Sequence, residues 1–271
     1  MTDARALVPA LERGLNILRL FKRARPAISP PEMARELNIP RSTVHRLVAA
    51  LEEMGFLRRA EGGGAYALGP AVLNIGFEYL GSLDIVELSD PVLAALRDET
   101  NCSIHLAIRN GTGMIYLSRH PSRGAITSNV SVGSTLPAHA TVIGRVMLAD
   151  LSHGELAALY RDHPLEAHTA QTPTTLAALE ALLAEDRRLG FALSRSYFEP
   201  GVTSVAAPVR DRTGRAVAAI NAVAVDTTAD AFVRGDLKDR VVAAAAAISA
   251  MLGAPREMGA PAPIGKSLIH A

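Results

Sequence analysis

The chain has a single cysteine, Cys102, in 271 residues, which excludes an internal disulfide framework and suits a reducing cytoplasm. A lone cysteine is most often a small buried hydrophobe, so no chemistry is assigned to it. A secretory leader is not expected, because MTDARALVPALERG lacks an apolar central stretch. Long hydrophobic runs are missing as well. The longest, Val241 to Ala254, is Ala-rich and falls short of the ~20 residues a membrane span needs. It is expected to form a buried C-terminal helix whose small side chains permit close packing. Charge of one sign is equally scarce: 28 Lys+Arg against 27 Asp+Glu give a net +1, which alone favours no partner. At 49% hydrophobic and 20% charged, the composition is that of an ordinary globular protein, long enough for one large domain or two smaller ones. The expected protein is soluble and cytoplasmic.

Signals for catalysis are also thin. No nucleophile elbow is present. Ser134, His139 and Asp150 have no spacing that requires a triad. His120, His163 and His168 make a poor metal set, because His163 and His168 are five apart and Pro164 breaks any helix between them. No catalytic residue, metal or cofactor is expected, and an enzyme carrying a helix-turn-helix as a mere scaffold is the distant alternative.

What is present is concentrated in residues 26–70. Ser29-Pro30-Pro31-Glu32 fits a capping box with proline at the first helical position. Met33, Ala34 and Leu37 form an apolar stripe, Asn38-Ile39 ends the helix, and Pro40 starts a second. There Val44, Leu47, Val48 and Leu51 make the inward face, while Arg41, Ser42, Thr43, His45 and Arg46 lie at the start or outside. Two helices joined this tightly can place the second in a major groove with its N-terminal residues toward base edges. After Gly55, two short apolar runs flank Gly62-Gly63-Gly64, which predicts a hairpin, or wing, with Arg58 and Arg59 able to reach phosphates. Residues 1–70 carry 11 Lys+Arg and 7 Asp+Glu, a net +4, and residues 71–271 carry 17 and 20, a net −3. The asymmetry suits phosphate attraction at the N-terminal end.

Ala10 to Leu20 predicts an amphipathic helix, with Leu11, Leu15, Ile17, Leu18 and Phe21 packing under the helix-turn-helix or against a second subunit. Ala71 to Leu83 reads as a linker helix. Residues 84–99 continue helically, with a break near Ser89-Asp90-Pro91. From Asn101 the period becomes two: Ile104, Leu106 and Ile108 alternate with Ser103, His105 and Ala107, Asn110-Gly111 turns, and Met114 to Leu117 returns. Thr203–Arg210 and Arg215–Val225 predict another strand pair. Helices are expected over Thr141–Leu148, Ser152–Tyr160 (with a Ser152/Glu155 capping box) and Leu176–Leu189, closed by Gly190. The fold class is α+β, with an antiparallel sheet flanked by helices. The expected division is residues 1–70 for a winged helix-turn-helix, 71–84 for the linker helix, 85–253 for a sensor-like domain and 254–271 for a mobile, Pro/Gly/Ala-rich tail. A domain the size of 85–253 argues against a purely architectural DNA binder.

The sequence resembles the IclR family of bacterial transcriptional regulators over residues 8–253. The likeness rests on LERGLNILRLF, PRSTVHRLVAALEEMGFL and its wing, LPAHATVIGRVMLA (136–149) and GVTSVAAPVRDRTGRAVAAINA (201–222). VSVGSTLPAHAT and SRHPSRG are most similar to the branch controlling aromatic-acid catabolism (protocatechuate, 4-hydroxybenzoate, β-ketoadipate pathway). The resemblance implies a C-terminal GAF-like effector domain, a dimer or dimer of dimers, and a palindromic operator in double-stranded DNA.

It also implies a small organic acid effector bound by Leu136, Val142, Ile143, Ser194, Ser204, Asn221 and Val223. The residues themselves are compatible: amides at the start of the Thr141 helix suit an anion, and Asn221 shares a strand face with Val217, Ala219 and Val223, where an amide needs a partner. Apolar Val142 and Ile143 favour an acid with a hydrophobic body, an aromatic one first and a non-aromatic carboxylate as the alternative. His139 either contacts the carboxylate or fixes its loop, and Arg123, Tyr197 and Phe198 are further candidates.

Overall fold

Glu32 shows how the first unit is built. In a computed structural model its carboxylate accepts the Ser29 amide at 2.9 Å and the Ser29 hydroxyl at 2.6 Å. These bonds hold the Glu32 carboxyl down at about 2 and start α2 (Pro30–Leu37). The structure describes residues 8–123, 130–195, 198, 201–225 and 236–255. Most of the expected tail, residues 256–271, lies outside them. Contacts divide the chain into two units, Met1–Ser82 and Leu83–Ala271.

In the first unit α1 (Pro9–Leu20), α2 and α3 (Arg41–Glu53) pack together. Asn38 leaves α2 in the left-handed region at φ 50°, a conformation asparagine tolerates. Ile17, Phe21, Met33, Val44 and Val48 form the buried core. Leu11 and Leu15 of α1 do not join it and remain exposed. The wing is β2 (Leu57–Arg59) and β3 (Tyr66–Leu68), and its tip is Gly62, Gly63 and Gly64, all at φ between 74° and 89°. Such angles are strained for residues with a Cβ. A two-residue strand, β1 (Ala27–Ile28), pairs with β3 and gives the order β1-β3-β2. It was not expected, because its pairing signal lies 38 residues away. The helix α4 (Ala71–Gly81) buries none of its residues, and Leu73, Ile75, Phe77 and Tyr79 are all exposed.

The second unit is a six-stranded antiparallel sheet, in the order β6-β5-β4-β9-β8-β7, with helices against both faces. Its strands are β4 (Ser103–Asn110), β5 (Gly113–His120), β6 (Thr135–Pro137), β7 (Ala192–Arg195), β8 (Val202–Arg210) and β9 (Ala216–Val225). Helix α5 (Asp84–Thr100) runs unbroken through Pro91, against the expected break. Burial of Ile85, Leu93 and Leu96 holds both halves on one face of the sheet, which outweighs the single backbone bond a proline removes. With α9 (Leu237–Met251), α5 covers one side of the sheet. The other side is covered by α6 (Val142–Leu148), behind which lie α7 (His153–Tyr160) and α8 (Leu176–Leu189). Edge strands β6 and β7, three and four residues long, were not expected. Among the described residues no helix is long and apolar enough to cross a membrane.

Candidate functional site

Arg41, Ser42, Thr43, His45 and Arg46 occupy the first turn and a half of α3. All are exposed except Thr43, which is half-buried, while Val44 and Val48 are fixed in the core behind them. The helix therefore presents a row of guanidinium, hydroxyl and imidazole donors to solvent from a rigid support. In the wing Arg58 and Arg59 are both exposed. Successive strand residues face opposite ways. Arg59 lies along the ribbon at its surface, with its Nε 3.1 Å from Glu52 and its guanidinium 5.4 Å from the Tyr66 ring centroid.

The expected effector residues converge on one layer of the second unit. Strand register sets Ser194 beside Ser204, Ser204 beside Val223, and Asn221 beside both Ala206 and His105. Side-chain alternation puts all of these on one sheet face. That face is the one α6 covers, since Ala107, Ala192, Ala206 and Ala219 share a core cluster with Val142, Ile143 and Val146. Leu136, on edge strand β6, packs against the same cluster from the side. Ser194, Ser204 and Asn221 are buried. The layer thus combines hydroxyl and amide groups on the sheet with an apolar roof.

The roof is held in place. Arg145 on α6 donates its Nε to Asp186 of α8 at 2.8 Å in a two-point pair, both side chains being almost wholly buried. Thr141 caps α6 by accepting the Gly144 amide at 3.3 Å and donating to the Pro137 carbonyl at 3.1 Å. A helix of seven residues with one of its first amides already satisfied is a weaker anion site than the sequence suggested.

His139 is buried beside this cap. Its Nε2 lies 3.0 Å from the Glu166 carbonyl, a bond that ties residues 138–141 to the segment before α8, and burial lowers its pKa. Its ring stands edge-on to Tyr160 and 6.1 Å from His168, which in turn contacts Phe198 at 4.8 Å. Arg123 is highly exposed and pairs with Asp98 at 2.9 Å, at the surface rather than in the layer. Tyr197 lies outside the described residues. The imagined triad does not assemble: Asp150 binds Arg210 at 2.7 Å and the Ala216 amide at 3.0 Å, and His139 is committed to Glu166. Among the described residues no three His, Cys, Asp or Glu side chains are grouped to hold a metal.

Sequence reasoning missed His105. It was placed only as one of the alternating residues of β4, yet it is fully buried, with Nδ1 3.0 Å from Asn221 Oδ1 and its ring edge-on to Tyr116. Its presence opposite an asparagine that did draw notice was the available signal. Finding it required the β4–β9 register.

Comparison with known proteins covers both units. Residues 10–61 match the model of the IclR helix-turn-helix domain, and residues 77–250 match that of the bacterial transcriptional regulator IclR C-terminal domain. The chain is 31% identical over 252 residues to the HTH-type transcriptional regulator XynR of Escherichia coli, covering 92% of this chain and 99% of that protein. It is 28% identical over 232 residues to the Pca regulon regulatory protein of Pseudomonas putida, covering 85% and 78%. Its fold is similar to the crystal structure of Pseudomonas aeruginosa HmgR, with a TM-score of 0.70 at 30% identity, covering 91% of this chain and all of the other.

Proposed function

We propose that this chain, which belongs to the IclR family of bacterial transcriptional regulators, controls a catabolic operon in response to a small, aromatic organic acid. The family makes it a DNA-binding regulator with a ligand-binding C-terminal domain, not an enzyme. In this reading Arg41, Ser42, Thr43, His45 and Arg46 meet base edges and phosphates of a palindromic operator. Arg58 and Arg59 add wing contacts. The chain works in the cytoplasm as a dimer or a dimer of dimers, with residues 71–84 linking the DNA-binding part to the effector domain, 85–253. Exposed Leu73, Ile75, Phe77 and Tyr79 on α4 support self-association, since an 11-residue helix with no buried residue is marginal alone.

The observation that carries the effector reading is the buried polar row Ser194, Ser204 and Asn221 under the apolar roof of Val142 and Ile143. Hydroxyls and an amide gathered on one covered sheet face beneath apolar side chains are suited to orienting a ligand. The hydrophobic roof, and the similarity to the Pca regulon regulatory protein, favour an aromatic body. A non-aromatic carboxylate is the second reading, because the similarity to XynR does not single out the aromatic branch. A thermal-shift panel of aromatic and aliphatic carboxylates separates the two. The binding acid should raise the transition of the second unit, by about 2.7 kcal/mol of stabilisation at a hundredfold excess over Kd. Ser204→Ala combined with Asn221→Ala should remove that rise while DNA binding persists. If the rise survives in the double variant, the acid binds elsewhere.

A further inference from the structure

We propose that His105 reads a hydroxyl group on the effector, accepting its hydrogen bond at Nε2, so that the site selects hydroxylated acids over the same acids without the hydroxyl. The inference rests on the effector layer described above and goes further, naming the donor that the ligand must carry.

His105 lies in the middle of β4 on the face covered by α6, 0% exposed. Asn221 Oδ1 can only accept, so at 3.0 Å it fixes the proton on Nδ1. The neutral ring then has a bare acceptor at Nε2. That nitrogen is buried and has no hydrogen-bond partner among the described residues. Buried side-chain polar atoms are rarely left so. Burial, together with the positive charge of Arg119 at the register-paired position on β5, keeps the ring uncharged, with its pKa lowered to about 4. Protonating Nε2 is therefore not how its lone pair is satisfied at neutral pH.

The side chains beside this pair are small. Ser103 and Ala107 flank His105 on its own strand face, and Ala206, Ala219 and Val223 surround Asn221. These side chains are short, so the imidazole and the carboxamide stand above their neighbours. The Tyr116 ring, 5.5 Å away and perpendicular, supports the imidazole without offering it a donor. A structural pair that only needed to fill space would be made of apolar residues here. A histidine held in one tautomer by an asparagine is instead a preorganised acceptor, and a hydroxyl is the neutral donor that small organic acids most often carry.

The test is isothermal titration calorimetry at pH 7 on the full chain, with benzoate against 2-, 3- and 4-hydroxybenzoate and propionate against lactate. The hydroxylated member of one series should bind about tenfold or more tightly than its parent, the cost of leaving a buried acceptor unpaired. His105→Phe should bring that ratio to near one. His105→Gln, which keeps an acceptor at the same reach, should restore a preference. Val142→Trp, which fills the layer, should abolish binding of both members. If His105→Phe keeps the ratio while Val142→Trp abolishes binding, His105 is not the reader, its nitrogen is served by water, and the pocket assignment stands. If the parent acid binds as well as the hydroxylated one, the proposal also fails. If Val142→Trp leaves binding intact, or if no acid binds, the pocket assignment itself is wrong.

Discussion

Replacing Gly144 by alanine pits a local rule against a tertiary one. Gly144 sits inside α6, where an ordinary glycine-to-alanine change stabilises a helix by about 1 kcal/mol. Here an added Cβ would lie 2.2 Å from the carbonyl oxygen of Ala138, 2.3 Å from its Cα and 2.6 Å from its carbonyl carbon. Ordinary carbon contacts are about 3.5–4.0 Å, so one partner must retreat by more than about 1 Å. Ala138 cannot do so readily. It is fully buried, and its amide is bonded to the Thr112 carbonyl at 2.9 Å. Nor is α6 free, because Arg145 locks it to Asp186. Overpacking against backbone belongs at the upper end of its usual range, about 3 kcal/mol. Offset by the propensity gain, the net loss is about 2 kcal/mol, or about 4–8 °C in the melting transition of the second unit. Calorimetry of the full chain reads that transition directly. DNA binding below it should be retained, whereas effector-induced stabilisation should fall, since α6 roofs the layer. An unchanged or raised transition would refute the close-approach reasoning and return Gly144 to the status of an ordinary helical glycine.

Arg46→Ala should abolish sequence-specific operator binding in a gel-shift or anisotropy assay with the melting profile unchanged; equal affinity would remove α3 from the DNA interface. Asp186→Ala leaves the Arg145 guanidinium buried without its carboxylate and should cost about 3–5 kcal/mol by urea denaturation, with a loss under about 1 kcal/mol showing that water replaces the partner. His105 gives a signed pH dependence. Its folded pKa, about 4, lies below the 6.5 of the unfolded chain, so the unfolded state binds the extra proton between these values. The resulting stability is full above pH 6.5 and is lost as pH falls toward 4, by up to ~3 kcal/mol. The stability of His105→Gln should decline less steeply than that of the parent over this window, and parallel curves would show that His105 is protonated in the folded state.

Legibility followed distance along the chain. Capping boxes at Ser29/Glu32 and Ser152/Glu155, and the left-handed stop at Gly190, are written within four or so residues, and the structure has each of them. Pro91 misled because its local rule is sound and the burial that overrides it, at Ile85, Leu93 and Leu96, depends on a sheet formed later in the chain. β1 exists only because β3 pairs with it, and β7 only because β8 does. The same divide runs through the site. Asn221 stood out as an amide on an apolar strand, but its partner His105 is 116 residues away, and Arg145 meets Asp186 across 41. The alternation in β4 was itself ambiguous. Ser103 and His105 look like a solvated face until α6 is known to cover it, and only then does the same alternation mark buried polar groups. Whether a polar residue in a strand signals solvent or a ligand is thus decided by what covers the sheet. Here both faces are covered, but the polar groups are not shared equally between them. The α5–α9 face carries Ile104, Leu106, Val205, Ala207, Ile220 and Ala222, with Thr203 and Ser118 as its buried hydroxyls. The α6 face keeps Ser103, His105, Ser194, Ser204 and Asn221. That unequal sharing supports the effector layer proposed above, because orienting a ligand takes donors and acceptors that a core does not need.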